Sequence, residues 1–302
     1  GFGNFSPLFL YFVSSVRSCS TIPSMFFFRL LSRLPLSILY LLTDFLYLIA
    51  RFVIRYRKKV IDENLFHAFP ELSDTERKKI RNRFYRNFTD TFAETIKLLT
   101  ISEAEFRRRF VIVNQPDLDQ PVKNGVSSLM MAGHIFNWEW GVVGTNLYTE
   151  VPVETVYLKV NNPFFNELMK KIRTRFGGFV TEKKEFRRGM LTLGRDPRIV
   201  LLGSDQRPPS SENRYQREFL NRPAVFFEGA EFLSKKMNLH VHYGKMTKVK
   251  RGHYRYEYVP MASPPYDGEK PHSITDRFCE MLEENIREQP DTYLWSHKRW
   301  KI

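Results

Sequence analysis

His134 and Glu139, five residues apart in Gly133-His-Ile-Phe-Asn-Trp-Glu139, are the pair whose residue types and spacing could do chemistry. An imidazole titrates near neutrality, so it can take the proton of a hydroxyl. A carboxylate on its other ring nitrogen would fix the tautomer and stabilise the cation that forms. That division of labour suits acyl transfer to an alcohol, with His134 as general base and Glu139 as its orienter. No Gly-x-Ser-x-Gly elbow and no nearby cysteine accompany the pair. Direct attack of the acceptor hydroxyl on an activated acyl group is therefore expected, without a covalent acyl-enzyme. The oxyanion needs donors, and the choices are backbone N–H groups at the start of a helix after Asn137 or the side chain of Arg207. Such a spacing also arises by chance, and a histidine at a strand end is ordinarily structural, so the surroundings must decide.

The elements around the pair fit the chemistry. Residues 127–132, Ser-Ser-Leu-Met-Met-Ala, form an apolar strand run, Gly133 permits a sharp exit, and Asn137 can cap a helix. His134 then lies in the loop at a strand's carboxyl end, where open α/β sheets bind ligands, and Glu139 lies at a helix N-terminus, which favours a carboxylate. Further strands are expected at 111–113, 153–158 and 199–203, with helices between them at about 137–147, 163–175 and 184–193. This alternation predicts an α/β fold with a mainly parallel central sheet and helices on both faces. Residues 239–249 and 253–259 read as a hairpin turning at Arg251-Gly252, so the sheet is expected to end in antiparallel strands. A last helix covers about 272–288. Upstream, a short helix at 62–69 ends before Pro70. Ser73-Asp-Thr-Glu76 has capping-box spacing and opens a longer helix with Phe84, Phe88, Phe92 and Ile96 on one core-facing side, and Ser102 with Glu105 repeats the box.

The N-terminal region differs in composition. Residues 1–24 read as an irregular Phe- and Ser-rich leader, possibly not native, and Met25 is a plausible start. Residues 34–50 form an apolar stretch of nearly bilayer-spanning length, broken by Asp44 and followed by Arg51, Arg55, Arg57, Lys58 and Lys59. Residues 25–60 are therefore expected to be membrane-anchoring helices, spanning or interfacial, and the positive-inside rule puts the rest on the cytoplasmic side. An ordinary buried helix is the competing reading. Residues 61–302 would be one catalytic domain, since no repeat or low-complexity linker divides them.

Lys and Arg exceed Asp and Glu by 14 in 302 residues, which attracts polyanions of any kind. Without a basic tail, zinc-finger spacing or RNA-binding signature, nucleic acid is not the expected partner. Two cysteines, Cys19 and Cys279, make no disulfide framework and fit a reducing compartment. His240 and His242 face one side of a strand but lack a third ligand at a recognisable spacing, so no metal is assigned. No P-loop, dinucleotide fingerprint or HExxH pattern calls for a cofactor. The C-terminal Trp295, His297, Lys298, Arg299, Trp300 and Lys301 mix interfacial aromatics with cations, which fits headgroup contact or a charged tail packed on the domain.

Gly-His-x-x-Asn-Trp-Glu after an apolar strand and behind a membrane-type helix resembles the lipid A biosynthesis lauroyl/myristoyl acyltransferase family, the late acyltransferases of Gram-negative bacteria. Other segments share the resemblance from about Met25 onward: Glu63-Asn-Leu-Phe-His-Ala-Phe-Pro-Glu71 with Glu94 following in a helix; Ser204-Asp-Gln-Arg207; Phe219-Leu-Asn-Arg-Pro-Ala224, with Asn221 where the family has glycine; and Tyr293-Leu-Trp-Ser-His-Lys-Arg-Trp300, with Lys298 where arginine is common. Glu228-Gly229 invites comparison with glycerolphosphate acyltransferases, but alignment through Pro223-Ala224 makes it incidental. The resemblance implies an acyl carrier protein donor and a lipid A precursor as acceptor, whose 3-hydroxyacyl group is esterified at the cytoplasmic face of the inner membrane, with no cofactor. It carries His134 and Glu139 over as the catalytic pair. Asn137, Asp205 and Arg207 are the substrate-side candidates, with Arg207 for an anionic group or the oxyanion. Another hydroxylated membrane lipid as acceptor, or a non-catalytic membrane-tethered binding module, are the alternatives.

Overall fold

Ser128 to Met131 are buried in succession, which requires cover on both faces of their strand. The computed structural model describes residues 25–190, 195–209 and 214–300, and the leader at 1–24 lies outside them. In chain order the elements are α1 (Met25–Arg33), α2 (Leu36–Leu48, continued by a π turn Ile49–Val53), α3 (Lys58–Ala68), α4 (Asp74–Lys97), α5 (Glu103–Arg109), β1 (Phe110–Ile112), α6 (Gln115–Lys123), β2 (Ser128–Ala132) and α7 (Trp138–Tyr148). There follow β3 (Val153–Tyr157), α8 (Pro163–Arg173), β4 (Phe179–Glu182), α9 (Lys183–Gly189), β5 (Ile199–Gly203), β6 (Arg214–Phe219), β7 (Arg222–Phe227), α10 (Gly229–Met237), β8 (His240–Lys250), β9 (His253–Ala262) and α11 (Ser273–Glu288).

Seven strands form one sheet in the order β1-β9-β8-β2-β5-β3-β4, parallel throughout except at the β8/β9 hairpin. The mainly parallel α/β expectation holds. Its edge does not: β1 adds in parallel to β9, so the antiparallel hairpin lies inside the sheet instead of ending it. Strand order is a long-range choice, and the local pattern at 239–259 carries no record of the neighbour supplied by residues 110–112.

A separate antiparallel ribbon, β6/β7, was not expected from the pattern. β6 alternates exposed and half-buried residues before Phe219, β7 buries Ala224, Val225 and Phe226, and a turn through Leu220 and Asn221 joins them, with φ of 49° and 61°. Both central residues have positive φ, as a two-residue hairpin turn demands, and Asn tolerates the left-handed region better than most residues. Asn221 therefore stands where a glycine would serve, and its amide also donates to the Ala68 carbonyl.

Local signals place the helix starts well. Ser73 and Glu76 form a reciprocal capping box, and Ser102 accepts from the Glu105 N–H. The helix α2 and its π turn, Leu36–Val53, are long and apolar enough to cross a membrane, yet one polar side is tied to the domain. Thr43 donates to Asp90, Tyr40 donates to Glu94, and Arg251 bridges Asp44 and Asp90 at 2.8 and 2.6 Å. The other side presents Leu41, Phe45 and Phe52, 70%, 64% and 55% exposed. Phe28, Ala50 and Tyr56 belong to the same core cluster as the strands, so the helical N-terminal part and the sheet share one core.

Candidate active site

β2 delivers His134 to the carboxyl end of the sheet, beside the end of the neighbouring parallel strand β5, where Asp205 and Gln206 leave in their own loop. Gly133 is required at the exit, because a Cβ there would sit 2.4 Å from the Leu282 side chain. The C-terminal segment lies across this loop: Ile135 pairs with Tyr293, and the Phe136 N–H donates to the Thr292 carbonyl.

The imidazole lies between two residues of the β5 loop. Its Nδ1 is 2.5 Å from Asp205 Oδ1, and the His134 backbone N–H donates to Asp205 Oδ2 at 3.1 Å. A buried carboxylate opposite Nδ1 fixes the proton there, so Nε2 carries the lone pair. Gln206 Nε2 donates to that lone pair at 3.2 Å, while Gln206 Oε1 is buried without a hydrogen-bond partner. The amide N–H thus occupies the place in which an acceptor hydroxyl would present its proton. Burial works against the Asp205 charge, but His134 and, more distantly, Arg299 outweigh it and hold the carboxyl below the usual range.

Glu139 takes a different place from the one its spacing suggested. Asn137 caps α7 by accepting the Glu139 N–H, which puts the Glu139 carboxylate in the first turn of the helix. There it receives Arg173 from the end of α8 as a bidentate pair, at 2.8 and 2.6 Å, and the Trp138 indole N–H at 3.0 Å. Both partners sit away from solvent, Glu139 at 1% side-chain exposure and Arg173 at 14%. Burial opposes the Arg173 charge and Glu139 more than restores it. Asp205, expected on the substrate side, is the carboxylate hydrogen-bonded to the imidazole; Glu139, expected as its partner, is ion-paired with Arg173 at the end of α8 and lines the cavity.

Two further expectations are corrected. Asn137 is fully buried, and its amide donates to Glu94 while its oxygen caps the helix, so the side chain is used beneath the site and does not line the cavity. Glu94 is the hub of that support, accepting also from Tyr40 and Tyr254, and burial raises its pKa. Arg207 does not line the cavity, and its buried Nε has no hydrogen-bond partner among the described residues, so it is poorly placed to meet an oxyanion there. Arg173 and Gln206 had no role assigned from sequence: neither stands at a spacing that marks it, and only the packing of α8 and the β5 loop brings them in.

An apolar cavity opens beside the imidazole. His134, Glu139, Arg173 and Gln206 stand at its polar part, and Phe92, Ile96, Val142, Leu168, Ile172 and Met246 line the rest. The C-terminal tail is not an exposed headgroup contact. Trp295 and Arg299 are almost fully buried, Trp300 donates to the Phe219 carbonyl, and His297 lines the cavity, whereas Lys298 is exposed. Lys301 lies outside the described residues. Arg57 donates to the Ser296 carbonyl at 2.8 Å.

The two strand histidines, His240 and His242, join no group of three metal-ligating side chains among the described residues. His242 is 4% exposed, and burial pulls its pKa down to about 4. Above pH 6.5 the imidazole is neutral in both states. Between about 6.5 and 4 only the unfolded chain gains the proton, so stability falls with acidification by about 3 kcal/mol in all. Denaturant melts from pH 7 to 4.5 should show this decline, and it should be shallower in His242→Gln; an equal slope in the variant would sink the assignment.

A buried imidazole on a carboxylate stands at the carboxyl ends of a parallel sheet, beside an apolar cavity. The chain belongs to the bacterial lipid A biosynthesis acyltransferase family, whose model matches residues 13–302. A comparison with curated proteins finds no match.

Proposed function

We propose that this acyltransferase moves a fatty acyl chain from acyl carrier protein to the hydroxyl of a 3-hydroxyacyl group on a lipid A precursor. His134 acts as general base through Nε2, Asp205 holds its tautomer and stabilises the imidazolium, and the cavity takes the acyl chain. The observation that carries this reading is the Asp205–His134 pair with Nε2 accepting from Gln206 beside an apolar cavity. The acceptor oxygen bonds to the thioester carbon while its proton passes to Nε2. Collapse of the tetrahedral intermediate breaks the C–S bond, and the thiolate leaves with the proton from His134.

The enzyme works at the cytoplasmic face of the inner membrane. The apolar side of Leu36–Val53 enters the bilayer while its polar side stays on the domain, which favours an interfacial anchor over an independent span. Of the 17 large hydrophobic side chains exposed among the described residues, 11 fall between Phe26 and Ile54, which supports one lipid-facing surface. The net charge of +14 suits an acidic carrier protein and a phosphorylated glycolipid.

The direct test incubates the full chain in detergent micelles with acyl carrier protein bearing a saturated medium-length chain and a 3-hydroxyacylated lipid A precursor, and follows products by mass spectrometry. One added acyl chain on the precursor is the expected result. Transfer to other hydroxylated lipids but none to this precursor would overturn the acceptor, and no transfer to any would overturn the reaction.

A further inference from the structure

The site described so far has a base, a partner for the base and room for a chain, but no evident donor for the oxyanion. Of the donors that sequence suggested, two helix-start N–H groups are engaged and Arg207 is remote from the cavity. The Glu139 N–H is given to Asn137 Oδ1, the Trp140 N–H to the Asn137 carbonyl, and Arg207 is off the cavity. A tetrahedral intermediate without a donor forfeits a large share of the rate enhancement that acyl-transfer enzymes achieve.

His297 lines the same cavity as His134 and Gln206. Its backbone is held at several points: its N–H donates to the Leu294 carbonyl at 3.0 Å, Asn64 donates to the Trp295 and His297 carbonyls at 2.9 and 3.0 Å, and Arg57 donates to the Ser296 carbonyl at 2.8 Å. Three successive carbonyls are thus clamped by side chains reaching from α3 and the residue before it. The ring, by contrast, takes part in no hydrogen bond among the described residues. A residue whose backbone is so fully fixed, whose ring is left without a hydrogen bond among the described residues and which lines an apolar cavity is preorganised for a ligand.

We propose that His297 is a catalytic residue of this transfer: its neutral imidazole N–H donates to the thioester carbonyl oxygen and, more strongly, to the oxyanion that replaces it. The inference rests on the acyl-transfer reading above. Burial pulls the His297 pKa down to about 4, so at neutral pH the ring donates as a neutral imidazole and does not compete with His134 for the acceptor proton. Neutral donors suit this task, because they stabilise the developing charge without titrating across the working range. Once the acceptor hydroxyl displaces Gln206 from His134 Nε2, the Gln206 amide N–H becomes the second donor, and His297 and Gln206 then face the carbonyl together.

The test uses the full chain in the assay above, with His297→Ala, His297→Phe and His297→Gln. Loss of the donor should lower kcat by about 10²–10³-fold in Ala and Phe, with the KM for acyl carrier protein changed less than about threefold, because the bond strengthens only in the transition state. Gln restores an N–H donor and should recover at least about tenfold over Phe. Melting temperatures identify any variant that fails to fold, and the Gln and Phe pair, both able to fill the space, then carries the comparison. Equal kcat for Gln and Phe, or an Ala variant within about threefold of wild type while His134→Ala is dead, would overturn the role of His297 and leave the reaction standing. A wild-type chain that transfers nothing would overturn both.

Discussion

Replacing His134 by alanine is expected to lower kcat by about 10⁴-fold, the upper end of what one positioned base contributes. The size follows from the geometry. The imidazole is 7% exposed, Asp205 lies on Nδ1 and Gln206 on Nε2 at the cavity, so the ring is held in place for proton transfer. Removing the ring also leaves the buried Asp205 carboxylate without its imidazole, so a lower melting temperature is expected beside the loss of rate. The measurement is single-turnover transfer alongside a thermal melt. A His134→Ala enzyme that retains more than about a tenth of wild-type rate would show that proton removal is done elsewhere.

The second large effect separates the two carboxylates. In Asp205→Asn only one acceptor oxygen remains, yet the native carboxylate serves both the His134 ring and the His134 backbone N–H. If the amide oxygen keeps the backbone bond, the amide NH₂ faces Nδ1 and drives the proton to Nε2, the wrong tautomer for a base. A loss on the order of 10³-fold in kcat is expected, with modest change in melting temperature. Glu139→Gln should behave in the opposite way. It leaves the Arg173 guanidinium buried without its carboxylate, which typically costs about 3–5 kcal/mol, and activity falls because α7 and α8 lose their tie. Adding Arg173→Met to Glu139→Gln should recover much of that stability, since the buried charge is then gone. If Glu139→Gln instead melts like wild type and loses kcat, while Asp205→Asn is active, the imidazole's partner in solution is Glu139.

These contrasts mark where local pattern was informative. The strand at Ser128–Ala132, the cap at Asn137 and the helix from Trp138 follow from an apolar run, a glycine and a capping residue, all within about a dozen positions. The same holds for the box at Ser73 and the hairpin turn at Arg251-Gly252. The short strand β4 and the β6/β7 ribbon escaped notice. β4 and β6 are largely exposed or half-buried and lack the continuous apolar run of a buried strand, whereas β7 buries Ala224, Val225 and Phe226 behind Pro223, a residue that argues against a strand.

What the sequence by itself determined is the class of chemistry: a histidine at a strand end, an acid nearby, an apolar amphiphilic N-terminus, and family-like segments spread along the chain. Which acid serves the histidine was decided only by tertiary structure. Residues 134 and 139 are near neighbours in sequence, but Glu139, in the first turn of α7, is ion-paired with Arg173 at the end of α8, whereas the parallel pairing of β2 with β5 brings Asp205 from 71 residues away onto the ring. The C-terminal segment tells the same story, since Asn64, Arg57 and Phe219 draw its aromatics and His297 inward, where composition alone suggested a surface. Spacing measures distance along a chain, while a buried ion pair or hydrogen bond selects its partner by the geometry of the sheet.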